Sequence, residues 1–173
     1  MKHFLCSAVA LSFLASGAMA QDKTLTISVY SFGKDAMDEA VFSPFEEVCG
    51  CDVVIETGRS VERMAKIEAN AADPVIDVAV MAAQDALSLS RQDLLAPMDF
   101  AKIPSHRDLY ASAQDPLGNQ TALGYGFYAT SIVYRSDLIE IDSWADLLSD
   151  DLKGRVALPN ITGTQGPLTL EMM

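Results

Sequence analysis

The sequence has few of the residues that build metal centres and nucleophilic active sites. It holds three cysteines and two histidines in 173 residues, and beyond residue 20 only Cys49, Cys51 and His106 remain. A structural zinc site takes about four such ligands, so we predict no metal site and no cofactor. The chain also lacks a Gly-x-Ser-x-Gly nucleophile elbow, which weighs against an exported hydrolase. That enzyme class stays as an alternative.

Basic residues are also scarce. Twelve lysines and arginines stand against 24 acidic residues, which gives a formal net charge of −12. Such a balance of charge argues against nucleic acid as a partner, because an acidic surface repels phosphate backbones. An acidic, solvated surface that keeps an exported protein in solution explains this charge better than a cationic ligand does.

No long hydrophobic run is present. The run from Phe4 to Leu14 is shorter than the roughly 20 residues that a membrane span needs. Lys2 precedes it and Ala18-Met19-Ala20 follows it, a pattern typical of a secretory signal. We predict cleavage after Ala20 and a mature protein in the periplasm, with an uncleaved anchor as the alternative.

The two remaining cysteines are separated by Gly50 alone. In an oxidising compartment they could pair, although so short a loop would add little stability. The sequence leaves their pairing open and predicts a turn here, with Cys51 partly buried.

Strand and helix patterns alternate along the first part of the chain. Strands are predicted at Leu25–Tyr30, Asp52–Glu56 and Val75–Met81, the last as a strand covered on both faces. Helical spacing lies between them, over residues 37–48 and 61–71. In the first of these helices Pro44 either interrupts the spacing or restarts a helix at its first position, with Ser43 as the cap and Glu46 reaching back. This order predicts an α/β fold with a parallel sheet.

Ligands of such sheets bind beyond the carboxyl ends of the strands. That rule selects three loops, which are Ser31–Gly33, Gly58–Ser60 and Ala82–Asp85.

The later part of the chain begins with a helical piece at residues 87–95 and a long loop. Strands are then predicted within residues 122–135, where Gly124 and Gly126 suggest a hinge. Further on, Ser143 is predicted to cap a short helix, with Asp146 answering the cap and Gly154 ending the helix. A brief strand over residues 155–158 would follow.

Three stretches together resemble a known family. They are Phe45-Glu46-Glu47-Val48-Cys49-Gly50-Cys51-Asp52-Val53-Val54, Asp93-Leu94-Leu95-Ala96-Pro97-Met98-Asp99 with Lys102-Ile103-Pro104, and Ser143-Trp144-Ala145-Asp146-Leu147 with Lys153-Gly154-Arg155-Val156-Ala157-Leu158. In this order, behind an export signal, the chain resembles the front part of a periplasmic substrate-binding protein of an ABC transporter, of the polyamine- and iron-binding group.

The resemblance implies a periplasmic-binding-protein-like (type II) α/β fold, in which two lobes joined by crossing strands close on a solute. Residues 21–127 would form the first lobe and residues 128–173 the start of a second lobe that is incomplete, as in a truncated form. The function implied is capture of a small polar or charged solute, polyamine-like or metal-like, for the membrane subunits of an ABC importer. No catalysis is implied, and a ligand-sensing domain of the same fold is a further alternative.

The resemblance also implies a set of ligand contacts around the cleft. The candidates are Tyr30, Ser31, Phe32, Gly58, Arg59, Ser60, Ala82, Gln84, Asp85, Tyr125, Tyr128, Thr162, Gly163, Thr164, Gln165 and Gly166. In the last group, Pro167 would be the first helical residue, leaving free backbone amides that point into the cleft.

Simpler roles remain open for several of these residues. Ser60 could be only a helix cap, and the two tyrosines at 125 and 128 could be packed strand residues. The solute also stays open, since Arg59 and the helix amides would suit an anion while Asp85 would suit a cation.

Overall fold

A computed structural model describes residues 23–173, so the predicted signal segment and its cleavage site lie outside the described residues. The strands are β1 (Thr24–Val29), β2 (Asp52–Thr57) and β3 (Val78–Ala79). The α-helices are α1 (Lys34–Met37), α2 (Ser43–Cys49), α3 (Ser60–Ala69), α4 (Ala83–Ser90), α5 (Ala111–Gln114) and α6 (Gln165–Met172). Shorter helical turns are a π-helical turn at Asp38–Phe42 and 3₁₀ turns at Phe100–Lys102, Pro104–Asp108, Trp144–Leu148 and Asp150–Leu152.

The three strands form a parallel sheet in the order β2-β1-β3. Thr24 pairs with Asp52 at the start of β1, and Val29 pairs with Thr57 at its end. The predicted parallel sheet is therefore confirmed. Because all three strands run the same way, the loops after Val29, Thr57 and Ala79 meet at one edge of the sheet.

The central strand β1 carries the core. Ile27 and Val29 point to one face, where Phe42 completes a buried cluster, with Met37 and Val53 among the apolar side chains packed against it. Side chains alternate between faces, so Ser28 and Tyr30 lie on the other face. Ser28 is fully buried there, and a buried hydroxyl needs a hydrogen-bond partner.

Arg63 on α3 provides that partner. Its Nε donates to Ser28 Oγ at 2.8 Å, and its Nη2 donates to the backbone oxygens of Ser28 at 2.7 Å and Val80 at 2.5 Å. The guanidinium also lies over the Tyr30 ring, 4.9 Å from its centroid, a favourable cation–π distance. One buried side chain thus joins α3, β1 and the end of β3.

The third strand is much shorter than predicted. Val75–Met81 was expected to form a strand covered on both faces, but only Val78–Ala79 pairs with β1, and Val78 is about half exposed. At its start, the Asp77 carboxylate accepts the amide of Thr26 at 2.8 Å in place of a backbone oxygen. At its end, the Val80 oxygen is taken by Arg63. Side chains therefore end the ladder on both sides.

The prediction of a capped helix restart at Pro44 is wrong. Helical turns run without a break from Lys34 to Cys49, and the π-helical turn lies just before Pro44. A wider turn accommodates a proline ring, which would clash with the carbonyl four residues earlier. Ser43 Oγ bonds to Asp38 at 3.2 Å, and Glu46 accepts the amide of Val53 at 2.6 Å, so neither residue caps this helix.

The turn from α2 to β2 contains a disulfide between Cys49 and Cys51, with their Cα atoms 5.3 Å apart. Gly50 between them has φ of 59° and ψ of 43°, the left-handed conformation that ends a helix. Both cysteines are half-buried. The predicted turn is confirmed, and the pairing that the sequence left open is present.

The predicted strands within residues 122–135 and 155–158 are absent from the part of the chain that the structure describes. A strand needs a hydrogen-bonding neighbour, and neither segment meets one among the described residues. The capped helix at Ser143 is confirmed as a 3₁₀ turn, with Asp146 Oδ2 accepting the Ser143 amide at 2.8 Å. Gly154 has φ of 74°, as expected at a stop. Within residues 23–173, none of the helices has the length and apolar character needed to cross a bilayer.

The α4 helix offers a matched test of this core. Leu89 is fully buried, whereas Leu87 on the same helix is 37% exposed. Leu89→Ala should lower the free energy of unfolding by about 2–5 kcal/mol, because it removes apolar burial and leaves a cavity. Leu87→Ala should cost less than half as much. Urea denaturation followed by circular dichroism measures both, and equal losses would contradict this account of the core.

Candidate ligand-binding site

Polar side chains from distant parts of the chain meet at the carboxyl end of the sheet. Ser60 Oγ lies 3.2 Å from Thr164 Oγ1, although 104 residues separate them. Gln84 Nε2 donates to the backbone oxygen of Thr164 at 3.1 Å. Tyr128 OH donates to Gln84 Oε1, also at 3.1 Å. We call these four residues the Thr164 cluster.

The bonding partners fix the orientation of the Gln84 amide. A backbone oxygen can only accept, so the nitrogen of the amide must face Thr164 and its oxygen must face Tyr128. The Tyr128 hydroxyl must then be a donor. Residues 128 and 164 are thereby coupled through one side chain of α4.

Ser60 and Asp85 enter the site from the starts of two helices. Ser60 is the first residue of α3 and is 8% exposed. The cap position belongs to Arg59, whose amide bonds to Glu62 Oε2 at 3.1 Å. The alternative reading of Ser60 as the helix cap is therefore wrong. Its hydroxyl is free to face Thr164.

Asp85 lies beside Gln84 on α4 and has a perturbed pKa. Burial raises the pKa of its carboxyl, while the Ser60 hydroxyl and the Arg63 charge act in the opposite direction. Oδ2 of Asp85 is buried and makes no hydrogen bond with any described residue. Such a carboxylate is destabilising unless something else satisfies it.

Arg63 lies one helical turn beyond Ser60 and was missed by the sequence analysis. Its side chain is on the same helix face, three residues on, and only 5% of the residue is exposed. Burial lowers the pKa of Arg63, while Tyr30, Asp85 and Tyr125 raise it. Its Nη1 is buried and bonds to none of the described residues. An arginine at a core-facing position of an amphipathic helix was the signal that could have revealed it.

Several predicted residues are not brought into the cluster. Ser31 and Phe32 are exposed, with Phe32 94% accessible. Arg59 is paired with Glu62, with Nε at 2.9 Å, and its side chain is largely exposed. Tyr125 is 70% exposed. Gly58 comes close to Arg63, because a Cβ there would lie 3.2 Å from the Arg63 side chain.

The amides of residues 162–166 are mostly used within their own turn. The Thr162 amide bonds to Asn160 Oδ1, the Gly163 amide to the Asn160 oxygen and the Gly166 amide to the Gly163 oxygen. The helix α6 begins at Gln165, so the prediction of Pro167 as its first residue is wrong. A Cβ on Gly166 would lie within 2.3 Å of the Asn160 oxygen, so the two glycines shape a tight turn.

Gln165 and Ala82 have structural contacts of their own. The Gln165 side chain is hydrogen-bonded to the Thr130 hydroxyl, which ties α6 to the segment after Tyr128. Ala82 is 3% exposed and immediately precedes α4, so its side chain is packed rather than presented to a ligand.

A concave feature lies beside α3. This open groove of about 280 Å³ is lined by Glu56, Thr57, Gly58, Glu62, Arg63 and Lys66. Lys66 is paired with Glu56 and Glu62 with Arg59, and Arg63 is the charged group that the groove shares with the candidate site. Among residues 23–173, no cluster of three or more potential metal ligands occurs.

The perturbed Asp85 carboxyl predicts how stability depends on pH. The pKa of Asp85 is raised in the folded protein. Its contribution to the free energy of unfolding is therefore fully present below the pKa of the unfolded state and is lost as pH rises through the pKa of the folded state. Asp85→Asn should therefore stabilise the protein at pH 7. The variant should also lack the part of the stability loss with rising pH that ionisation of Asp85 causes. Asp146→Asn is the opposing control, because backbone amides of Asp142 and Ser143 lower the pKa of Asp146. Thermal midpoints between pH 3 and pH 8 measure both, and a lower Asp85→Asn midpoint at pH 7 would contradict the assignment.

Comparison with solved structures gives two relatives of this fold. A crystal structure described as an ABC transporter from Clostridium perfringens is 28% identical, with a TM-score of 0.61. The match covers 86% of this chain and 47% of that one. A crystal structure described as an extracellular solute-binding protein from Bordetella parapertussis is 22% identical, with a TM-score of 0.52. That match covers 57% of this chain and 31% of the other chain. The chain therefore spans less than half the length of these structures.

Sequence comparison leads to the same family. No curated protein matches the chain. Residues 40–172 match the family described as bacterial extracellular solute-binding protein. The matched segment includes β2, β3 and the whole Thr164 cluster. The match extends over well more than half of the sequence, and the first of the two solved structures agrees with it. The chain belongs to the bacterial extracellular solute-binding protein family.

Proposed function

We propose that this chain acts outside the cytoplasm as the solute-binding component of an ABC importer and captures a small polar solute at the Thr164 cluster. The family match supports the class of function. The observation that carries the site is the meeting of Thr164 with Ser60 and Gln84 at the carboxyl edge of a parallel sheet. Ligands of open α/β sheets bind at such edges.

Capture would proceed by closure of two lobes. Residues 21–127 would form one lobe and residues 128–173 the beginning of the other, so the Thr164 turn and the Ser60 and Gln84 side chains lie on opposite sides of the cleft. A solute that contacts both sides favours the closed state by its differential affinity. The closed shape is then what the membrane subunits of the importer would bind.

The two glycines near the lobe boundary differ in their freedom. Gly124 donates its amide to the Ala113 oxygen at 2.7 Å, and a Cβ there would lie 2.9 Å from that of Ala113. Gly126 has open space around it. Of the two predicted hinge positions, Gly126 is therefore the better one.

The nature of the solute is a finer question. The half-buried Asp85 carboxylate favours a polyamine-like solute. The positive charge of Arg63 would repel the ammonium groups of such a solute. A metal-like solute lacks a cluster of ligands among the described residues. An anion has little support, because Arg59 is paired with Glu62.

An enzymatic function is less well supported. His106 Nδ1 lies 2.9 Å from the Ile103 oxygen, and its ring stacks on Phe100 with centroids 4.9 Å apart. These contacts give the histidine a structural role within its own loop. A proton-transfer role needs a nucleophile within hydrogen-bond reach. We therefore propose a binding protein and not a hydrolase. A ligand-sensing domain would share the same site.

Thermal unfolding with a panel of solutes tests the proposal. Sugars, polyols, amino acids, polyamines and chelated metals would each be added, and a cognate solute should raise the midpoint in a saturable way. Tyr128→Phe removes the donor that orients Gln84, so it should lower the affinity for that solute by about three- to tenfold.

Tyr134→Phe is the matched control, since Tyr134 is similarly exposed and is absent from the cluster. If no solute in the panel shifted the midpoint, or if both tyrosine variants weakened binding equally, the proposed site would be rejected.

A further inference from the structure

Arg63 is buried and Asp85 is half-buried. These two groups of opposite charge lie close enough to interact, on the helices that bring Ser60 and Gln84 to the Thr164 cluster. Arg63 Nη1 and Asp85 Oδ2 are both buried, and neither bonds to a described residue. They form no ion pair with each other among the described contacts. Each nevertheless senses the charge of the other, since the two groups act on one another electrostatically.

The orientation of Arg63 is not free to change. Three hydrogen bonds, to Ser28 Oγ, Ser28 O and Val80 O, fix the plane of its guanidinium through Nε and Nη2. Nη1 is therefore held in one direction by bonds that belong to the sheet. Asp85 is held by α4, next to Gln84, whose amide is oriented by Tyr128. Arg63 Nη1 is thus preset by the fold, and Asp85 is carried by the helix that also supplies Gln84.

We infer that this pair binds one uncharged hydroxyl group of the solute, which accepts a hydrogen bond from Arg63 Nη1 and donates one to Asp85 Oδ2. This inference rests on the proposed function and narrows the solute to a neutral, polyhydroxylated class such as polyols and sugars. A hydroxyl meets both requirements because it is a donor and an acceptor at once.

Ionic solutes meet only one of these requirements. An ammonium group can donate to Asp85, but it cannot accept from Arg63 and is repelled by it. A carboxylate or phosphate can accept from Arg63, but it is repelled by Asp85 and leaves Oδ2 unsatisfied. Since the two unpartnered atoms belong to groups of opposite charge, neither sign of ion is favoured over a neutral group.

The polar groups above this pair fit the same class. In the described structure the Thr164 hydroxyl and carbonyl oxygen contact Ser60 and Gln84. The Thr164 hydroxyl and carbonyl oxygen are the same kinds of group that a neutral polyol or sugar presents. A polyol held between the Thr164 turn and the first lobe would therefore meet the same Ser60 and Gln84 groups.

Three probes on the whole chain test the inference by titration calorimetry at pH 7. They are mannitol as a neutral polyol, putrescine as a diammonium ion and succinate as a dicarboxylate. Mannitol should bind at least tenfold more tightly than either ion. Asp85→Asn should weaken mannitol by about tenfold or more, because a hydrogen bond to a charged acceptor is lost.

Asp73→Asn is the matched control, because Asp73 is exposed and outside the cluster, and it should leave mannitol binding unchanged. Tighter binding of putrescine or succinate than of mannitol, or an Asp85→Asn variant that keeps the affinity for mannitol, would overturn the inference and leave the proposed function standing. A cognate solute without hydroxyl groups in the wider panel would also overturn the inference and leave the proposed function standing.

A second measurement needs no solute. A water molecule is also both donor and acceptor, so it should occupy the hydroxyl position in the free protein. Nuclear Overhauser contacts between Arg63 Nη1 protons and a long-lived water are expected by NMR, and they should weaken in Asp85→Asn. Their absence would overturn the inference. Their presence without binding of any solute would support the subsite and count against the proposed function.

Discussion

The guanidinium of Arg63 is bound to oxygen atoms of two strands and lies against the ring of Tyr30. A buried charge costs several kcal/mol in lost solvation unless hydrogen bonds replace the water. Here three bonds replace it, and they simultaneously satisfy the hydroxyl of Ser28, which is fully buried. Without Arg63, the polar face of the central strand would have no partner, and β3 would lose the contact that ends its ladder.

That constraint also positions the candidate site residues. Ser60 precedes Arg63 by one helical turn, so fixing Arg63 to the sheet also fixes Ser60 at the sheet edge. Asp85 is kept in a setting that raises the pKa of its carboxyl, which disfavours the charged form in the folded protein. A stability-based design would place a neutral side chain there. The inferred solute hydroxyl would satisfy both the carboxylate oxygen of Asp85 and Nη1 of Arg63, which the described contacts leave without partners.

Local features of the chain were predictable, and distant ones were not. The alternation in β1 and β2 and the glycine stop at Gly50 depend on neighbouring residues, and the sequence predicted them. The length of β3 depends on Asp77 and Arg63, which reach it from outside the strand. The candidate site divides the same way. Ser60, Gln84 and Asp85 followed from strand ends, whereas Arg63 required knowing which helix face is buried.

The site combines a rigid base with a weakly held cover. The base is fixed by bonds from a charged donor, each worth about 1.5–3 kcal/mol, and it belongs to the core of the sheet. The Thr164 turn is held by bonds between neutral groups, to Ser60 and Gln84, each worth about 0.5–1.5 kcal/mol. Because the second set is weaker and only partly buried, the turn can leave without disturbing the base. A solute that offers equivalent oxygens would then take over the bonds to Ser60 and Gln84 while it lies against the turn, and the groups proposed to recognise it would stay in position.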